Sequence, residues 1–251
     1  MESNFGTTWI VLPTYNEREN LVRMLEAIAV ALPGARTLVV DDGSPDGTGE
    51  LADEFAAQHP SVEVLHRTAK EGLGAAYRAG FERVLSDPSC EFVVQMDCDF
   101  SHDPQDLPRL LGRLNGGADL VLGSRYVRGG GTIGWGLRRK IISRGGSLFA
   151  GTVLLLPYRD LTGGFKAWRS PLLRRVLRLV TETHGYGFQI ETTWHAHRLG
   201  GRTVQVPIMF RDRVAGSSKM SGDIVREALV LVLRLRLKAM RKGGAGENPP
   251  D

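Results

Sequence analysis

Short apolar runs recur through the first half of the chain, near residues 9–12, 37–40, 62–65, 92–96 and 120–122. Rich in Val, Leu and Ile and only three to five residues long, they read as buried strands. Between them the spacing changes. Leu21, Met24, Ile28 and Leu32 return every three or four positions, as do Leu107, Leu110, Leu111 and Leu114. That is the period of a helix with one buried face. Strand and helix signals in this order predict an α/β fold, with a mostly parallel sheet and helices on both faces.

After Arg125 the texture shifts to a Gly-rich stretch from Arg128 to Gly136, the basic Arg138-Arg139-Lys140, and an uncharged run from Gly145 to Tyr158. A membrane span needs about 20 apolar residues, and Pro157 closes this shorter run, so no transmembrane span is expected. The final helix signal, residues 223–242, sets Ala228, Val232, Leu235 and Ala239 on one face and Arg226, Arg234, Lys238 and Arg241 on the other. Such a basic, amphipathic helix suits a membrane interface. A C-terminal helix packed on the domain with a solvated basic face gives the same pattern. The expected division is a globular domain over 1–222, this helix, and a Gly/Pro-rich disordered tail over 243–251.

Composition narrows the function classes. The net charge of +4 conceals an asymmetry: residues 1–124 hold 9 Lys+Arg against 20 Asp+Glu, and the remainder holds 23 against 8. An acidic half suits cation binding, and a basic half suits an anionic partner. Nucleic acid is disfavoured, because the basic residues alternate with aliphatic runs and aromatic content is only 7%. The start Met1-Glu2-Ser3-Asn4 has no signal-peptide pattern, and Cys90 and Cys98 have no metal-site spacing, so a cytosolic, reducing setting is expected.

The candidate chemistry sits where two strands end, at Val40-Asp41-Asp42-Gly43-Ser44 and Met96-Asp97-Cys98-Asp99. In open α/β sheets ligands bind outside the carboxyl ends of the strands. Asp97 and Asp99 offer oxygen ligands to Mg²⁺ or Mn²⁺, which keep open positions for substrate phosphates. All four aspartates are equally suited to closing turns and capping helices. Pro13 is expected to end the first strand, leaving Tyr15 to stack on a base and Glu17 to contact it or cap the next helix.

Pro13-Thr14-Tyr15-Asn16-Glu17, Asp41-Asp42-Gly43-Ser44-Pro45-Asp46-Gly47-Thr48, Lys70-Glu71-Gly72-Leu73-Gly74, Asp97-Cys98-Asp99, Gly123-Ser124-Arg125-Tyr126 and Asp160-Leu161-Thr162-Gly163-Gly164-Phe165 follow in this order. Over residues 8–222 the chain thereby resembles the inverting GT-A glycosyltransferases of family 2, with a Rossmann-like sheet. Gly185-Tyr186-Gly187-Phe188-Gln189-Ile190-Glu191 and Phe210-Arg211-Asp212-Arg213, with Ser218-Lys219, resemble the dolichol- and polyprenol-phosphate mannosyltransferases in particular.

The resemblance implies that Pro13, Tyr15, Glu17, Val40 and Asp42 hold the guanosine of GDP-mannose. Asp97 and Asp99, with the backbone of Cys98, would bind metal and diphosphate. Arg125, Arg213 and Lys219 would close over the phosphates, and Arg125, Arg139 and Ser143 would receive the phosphate of a polyprenyl lipid. The family often has Ala at the position of Cys98, and Gln as an extra ligand at that of Ser101, which here can ligate through water. His102, beside the metal motif, is expected to support it rather than act as a base. An anionic lipid phosphate needs little general-base help, so positioning and leaving-group stabilisation are expected to dominate.

The expected setting is the cytoplasmic face of a membrane, bound peripherally through residues 145–157 and the final helix, or through a small membrane protein or membrane-domain partner. Two other readings stay open: a related transferase using UDP-glucose, and a non-catalytic nucleotide-sugar-binding protein.

Overall fold

The computed structural model describes residues 7–181, 185–212 and 222–243. In chain order the elements are β1 (Thr8–Thr14), α1 (Leu21–Ala31), β2 (Arg36–Asp41), α2 (Thr48–Gln58), β3 (Val62–His66), α3 (Leu73–Leu85), β4 (Phe92–Gln95), α4 (Leu107–Asn115) and β5 (Leu120–Ser124). There follow β6 (Gly131–Ile133), α5 (Leu137–Leu154), β7 (Lys166–Arg169), α6 (Ser170–Leu177), α7 (Gly185–Arg198), β8 (Thr203–Pro207), β9 (Met209–Arg211) and α8 (Gly222–Gly243).

Seven strands form one sheet in the order β3-β2-β1-β4-β7-β5-β8. All its pairings are parallel except those of β7, which runs antiparallel between β4 and β5. A small second sheet pairs β6 with β9. Alternation along the strands divides the core. Ile10, Leu12, Val39 and Val94 point to the face covered by α1 and α4. Trp9, Val11, Val40 and Val93 point to the face covered by α3, α6 and α7. The five strands anticipated from the apolar runs are all present, and the doubly covered sheet is as expected.

One expectation is corrected. β1 does not stop at Pro13 but continues to Thr14, pairing Pro13 with Val40 and Thr14 with Asp41. The proline is tolerated because β4 pairs with β1 only as far as Val11, so no ladder bond is required of residue 13 on that side. For α8 the structure decides between the two readings left open for its apolar face. Its Leu231, Val232 and Leu235 are buried in a third cluster with Ala150 and Leu154 of α5 and Ile190 and Trp194 of α7. The stripe containing Val232 and Leu235 therefore faces protein. A different stripe, Leu229, Val230, Leu233, Leu237 and Met240, is exposed. Similarly, α5 buries Ser143, Ser147, Ala150 and Leu154 and exposes Leu137, Ile141 and Leu148. No helix among the described residues is long and apolar enough to cross a membrane. Residues 244–251 lie outside the described residues.

Candidate active site

Parallel pairing in register brings the carboxyl ends of β1, β2 and β4 to one edge of the sheet. The loop after β2 is laced to the loop after β1. Thr48 Oγ1 accepts from the backbone N–H of Glu17 at 3.0 Å, Ser44 Oγ from Asn16 N–H at 3.1 Å, and Asp46 from Arg18 N–H at 3.3 Å. Gly43 and Gly47 take φ of 68° and 83°, so their missing side chains permit this turn. The two adjacent aspartates separate in role. Asp41 closes the turn, accepting from Thr14 Oγ1 at 2.9 Å and from Ser44 N–H and Oγ at 2.9 and 2.6 Å. Asp42 instead pairs with Arg67, and burial raises its pKa against the opposing pull of that guanidinium.

Tyr15 is half-buried, with Lys70 Nζ 3.6 Å from its ring centre. Glu17 anchors the start of α1: its carbonyl accepts from Asn20 and Leu21 N–H, and its carboxylate accepts from Asn20 Nδ2 at 2.9 Å. Val40 is wholly buried with its side chain in the core under α3, so that side chain faces away from the strand-end loops.

After β4, Asp97 is braced on two sides. Tyr77 Oη donates to Asp97 Oδ1 at 3.0 Å, and burial holds that phenol well above its ordinary pKa, so it stays a donor. His102 Nδ1 accepts from Asp97 N–H at 3.0 Å. The ring therefore carries its proton on Nε2. Burial depresses its pKa, and it stacks on Phe165 with centroids 4.8 Å apart. A neutral, walled-in imidazole of this kind positions the Asp97 loop. Cys98 is buried among core side chains, its thiol pKa raised by burial and then by the carboxylates of Glu17, Asp99 and Asp97. Asp99 Oδ1 accepts from Ser101 N–H at 3.0 Å, and Phe100 between them is held at φ 58°, an uncommon backbone for a bulky residue.

Among the described residues no three His, Cys, Asp or Glu side chains gather as a metal cage. The donor set nevertheless fits Mg²⁺ or Mn²⁺, which take one or two carboxylates and complete their shell with water and phosphate oxygens. Beside Asp99, the Ser101 hydroxyl is buried without a hydrogen-bond partner. An orphaned hydroxyl adjoining the Asp99 carboxylate is suited to such a hydrated ion.

On the other side of the edge, Arg125 leaves the end of β5 and forks onto Asp160, with Nε and Nη2 at 2.7 and 2.6 Å from its oxygens. Both side chains are almost fully buried. Nη2 also donates to Thr162 Oγ1 at 2.9 Å, and Thr162 lies 3.4 Å from Ser143 Oγ, which accepts from Tyr126 Oη at 2.8 Å. Arg139, one turn before Ser143 on α5, packs over Trp135 at 4.0 Å and donates to Asp212 at 2.6 Å. Arg125 thus meets Ser143 through Thr162, and shares the Trp135 ring with Arg139 at 5.3 Å, while its guanidinium is already engaged by Asp160. Arg213 and Lys219 lie outside the described residues.

A family model, glycosyl transferase family 2, matches residues 9–177. The chain belongs to that family. This glycosyltransferase is 49% identical to an undecaprenyl-phosphate mannosyltransferase of Micrococcus luteus, over 93% of the chain and 95% of the relative. It is 46% identical to a polyprenol monophosphomannose synthase of Mycolicibacterium smegmatis, over 90% and 85%. In fold it resembles a glucosyl-3-phosphoglycerate synthase of Mycobacterium tuberculosis solved with Mn²⁺ and UDP, at TM-score 0.65 and 22% identity, covering 91% of this chain and 79% of that one.

Several residues of the candidate site had no individual role in the sequence reading. Tyr77 lies mid-helix and is indistinguishable there from a core aromatic. Asp160 and Thr162 belong to a motif noticed as a whole, yet their pairing with Arg125 depends on contacts across 35 and 37 positions. Gln189 lies in the Gly185–Glu191 motif, and the structure brings its Nε2 to Gly164, on which Asp97 Oδ2 and His102 Cε1 also converge.

Proposed function

We propose that this glycosyltransferase transfers mannose from GDP-mannose to a polyprenyl monophosphate with inversion, releasing GDP. The observation that carries the reading is likeness over nearly the whole chain, at 49% and 46% identity, to two enzymes named for mannosylating polyprenyl phosphates. Asp42, Tyr15 and Glu17 line the nucleoside end in this reading, and Asp97 and Asp99 hold a divalent metal with the diphosphate. Such an ion, when bound, neutralises charge on the departing diphosphate.

A lipid phosphate oxygen attacks C1 of the sugar. The new C1–O bond forms as the bond to the diphosphate breaks, and the electron pair leaves with GDP. No proton has to be removed from an already ionised phosphate, which agrees with a neutral His102 locked by its backbone bond. Arg139 and Ser143 receive the acceptor phosphate, and Arg213 and Lys219 are assigned by resemblance to the leaving diphosphate. Arg125 contributes by fixing the Thr162–Ser143 wall, in addition to any direct phosphate contact.

The same reading puts the enzyme at the cytoplasmic face of a membrane. The exposed leucines of α5 and α8 would lie at the lipid surface, with Arg138, Lys140, Arg226 and Arg234 exposed alongside them. The test is transfer of radiolabel from GDP-mannose, against UDP-glucose, into organic-extractable lipid with a short polyprenyl phosphate and Mg²⁺ or Mn²⁺. Metal-dependent labelling from GDP-mannose is expected. Labelling from UDP-glucose alone would move the enzyme to the sister activity, and none from either would sink the proposal.

A further inference from the structure

A wire of buried amides runs from the sheet to the Asp97 loop. Trp168, Gln95 and Gln189 are all at most 2% exposed. Trp168 Nε1 donates to Gln95 Oε1 at 3.1 Å, and Gln95 Nε2 donates to Gln189 Oε1 at 2.9 Å. An indole N–H can only donate. It therefore forces the oxygen of Gln95 toward Trp168, the nitrogen of Gln95 toward Gln189, and the nitrogen of Gln189 away from both. The Gln189 backbone is clamped as well, its carbonyl accepting from Lys166 Nζ at 2.7 Å. At the end of this wire the Gln189 NH₂ group is buried and has no hydrogen-bond partner. Buried donors left in this state mark an absent partner.

The surroundings identify the kind of partner. Gly164 passes close by, and the point where a Cβ would project from it is 3.7 Å from Gln189 Nε2 and 3.7 Å from Asp97 Oδ2. A phosphate oxygen can only accept, so it answers the amide but offers nothing to the carboxylate oxygen. A hydroxyl satisfies both, accepting from the amide and donating to Asp97. We propose that Gln189 is a specificity-determining residue whose amide donates to a hydroxyl of the sugar being transferred, an inference that rests on the nucleotide-sugar reading above. Trp168 and Gln95 are positioning residues that keep the donor end of the amide facing the site.

The test is calorimetric titration of the wild-type chain, Gln189→Leu and Trp168→Phe with GDP and with GDP-mannose, each with Mn²⁺, and in parallel with UDP and UDP-glucose. Loss of one hydrogen bond to a buried group should weaken the sugar nucleotide about tenfold in Gln189→Leu while binding of the bare nucleotide stays within about twofold. Trp168→Phe should give a smaller loss of the same selective kind, since its amides are free to turn over. Equal weakening of nucleotide and sugar nucleotide would mean a diphosphate contact or a damaged fold, and would overturn the proposal. Unchanged binding of both would mean that the amide meets only water, and would overturn it too. A wild-type chain that binds none of the four would overturn the nucleotide-sugar reading itself, and this inference with it.

Discussion

Replacing Asp160 with Ala leaves the Arg125 guanidinium in a pocket built to neutralise it. The carboxylate accepts from Arg125 N–H, Nε and Nη2 at 2.9, 2.7 and 2.6 Å, and the two side chains are 4% and 0% exposed. Removing one partner of such a pair costs about 3–5 kcal/mol, chiefly because the surviving charge stays buried without the carboxylate that neutralised it. In a chain of this size each kcal/mol moves the midpoint by about 2–4 °C, so Asp160→Ala should melt roughly 6–20 °C below wild type. The double variant Arg125→Met/Asp160→Leu removes both charges and should recover most of that loss. Thermal unfolding followed by circular dichroism reads all three proteins. A single variant within about 2 °C of wild type, or a double variant no better than the single, would refute the view that Arg125 is first a structural cation.

Asp99→Ala should lower metal-dependent lipid labelling at least about a hundredfold with little change in melting temperature, and retained labelling would remove Asp99 from the site. Lys166 is 1% exposed, and burial pushes its pKa down to about 7 from 10.5. Between those values the unfolded chain holds a proton that the folded chain lacks, so this group makes stability rise with pH across that window, by up to about 1.4 kcal/mol per unit. Urea unfolding of wild type and Lys166→Met at several pH values should show wild type gaining on the variant as pH rises, and a constant difference would contradict the assignment. Leu229, Leu233 and Leu237 are 38%, 51% and 56% exposed. Changing all three to Ser should release the protein from anionic vesicles in a sedimentation assay without unfolding it, and unchanged co-sedimentation would rule out α8 as the contact.

The parts of the molecule that the sequence revealed are those whose signal is local. β1 to β5 and α1 and α4 each carry a hydrophobic period within a dozen residues, and they occur where that period lies. β7 escaped because Lys166-Ala167-Trp168-Arg169 does not resemble a buried strand, although it lies between β4 and β5. Its lysine is tolerated there because α7 supplies a carbonyl and the hydroxyls of Thr192 and Thr193 as acceptors. In α8 apolar residues lie on two faces, so the period alone did not say which one packs on α5 and α7.

The same division holds at the site. That carboxylates crowd the ends of two strands, and that the motif order matches one family of transferases, was determined by the sequence alone, because strand ends and residue types are local properties. Which aspartate closes a turn and which meets Arg67, that Arg125 is held by Asp160, and that Gln189 presents a buried N–H toward Gly164 were decided only by the tertiary structure. Each depends on side chains far apart in the chain competing for one buried partner, and that competition is settled by packing and hydrogen-bond geometry rather than by any pattern along the chain.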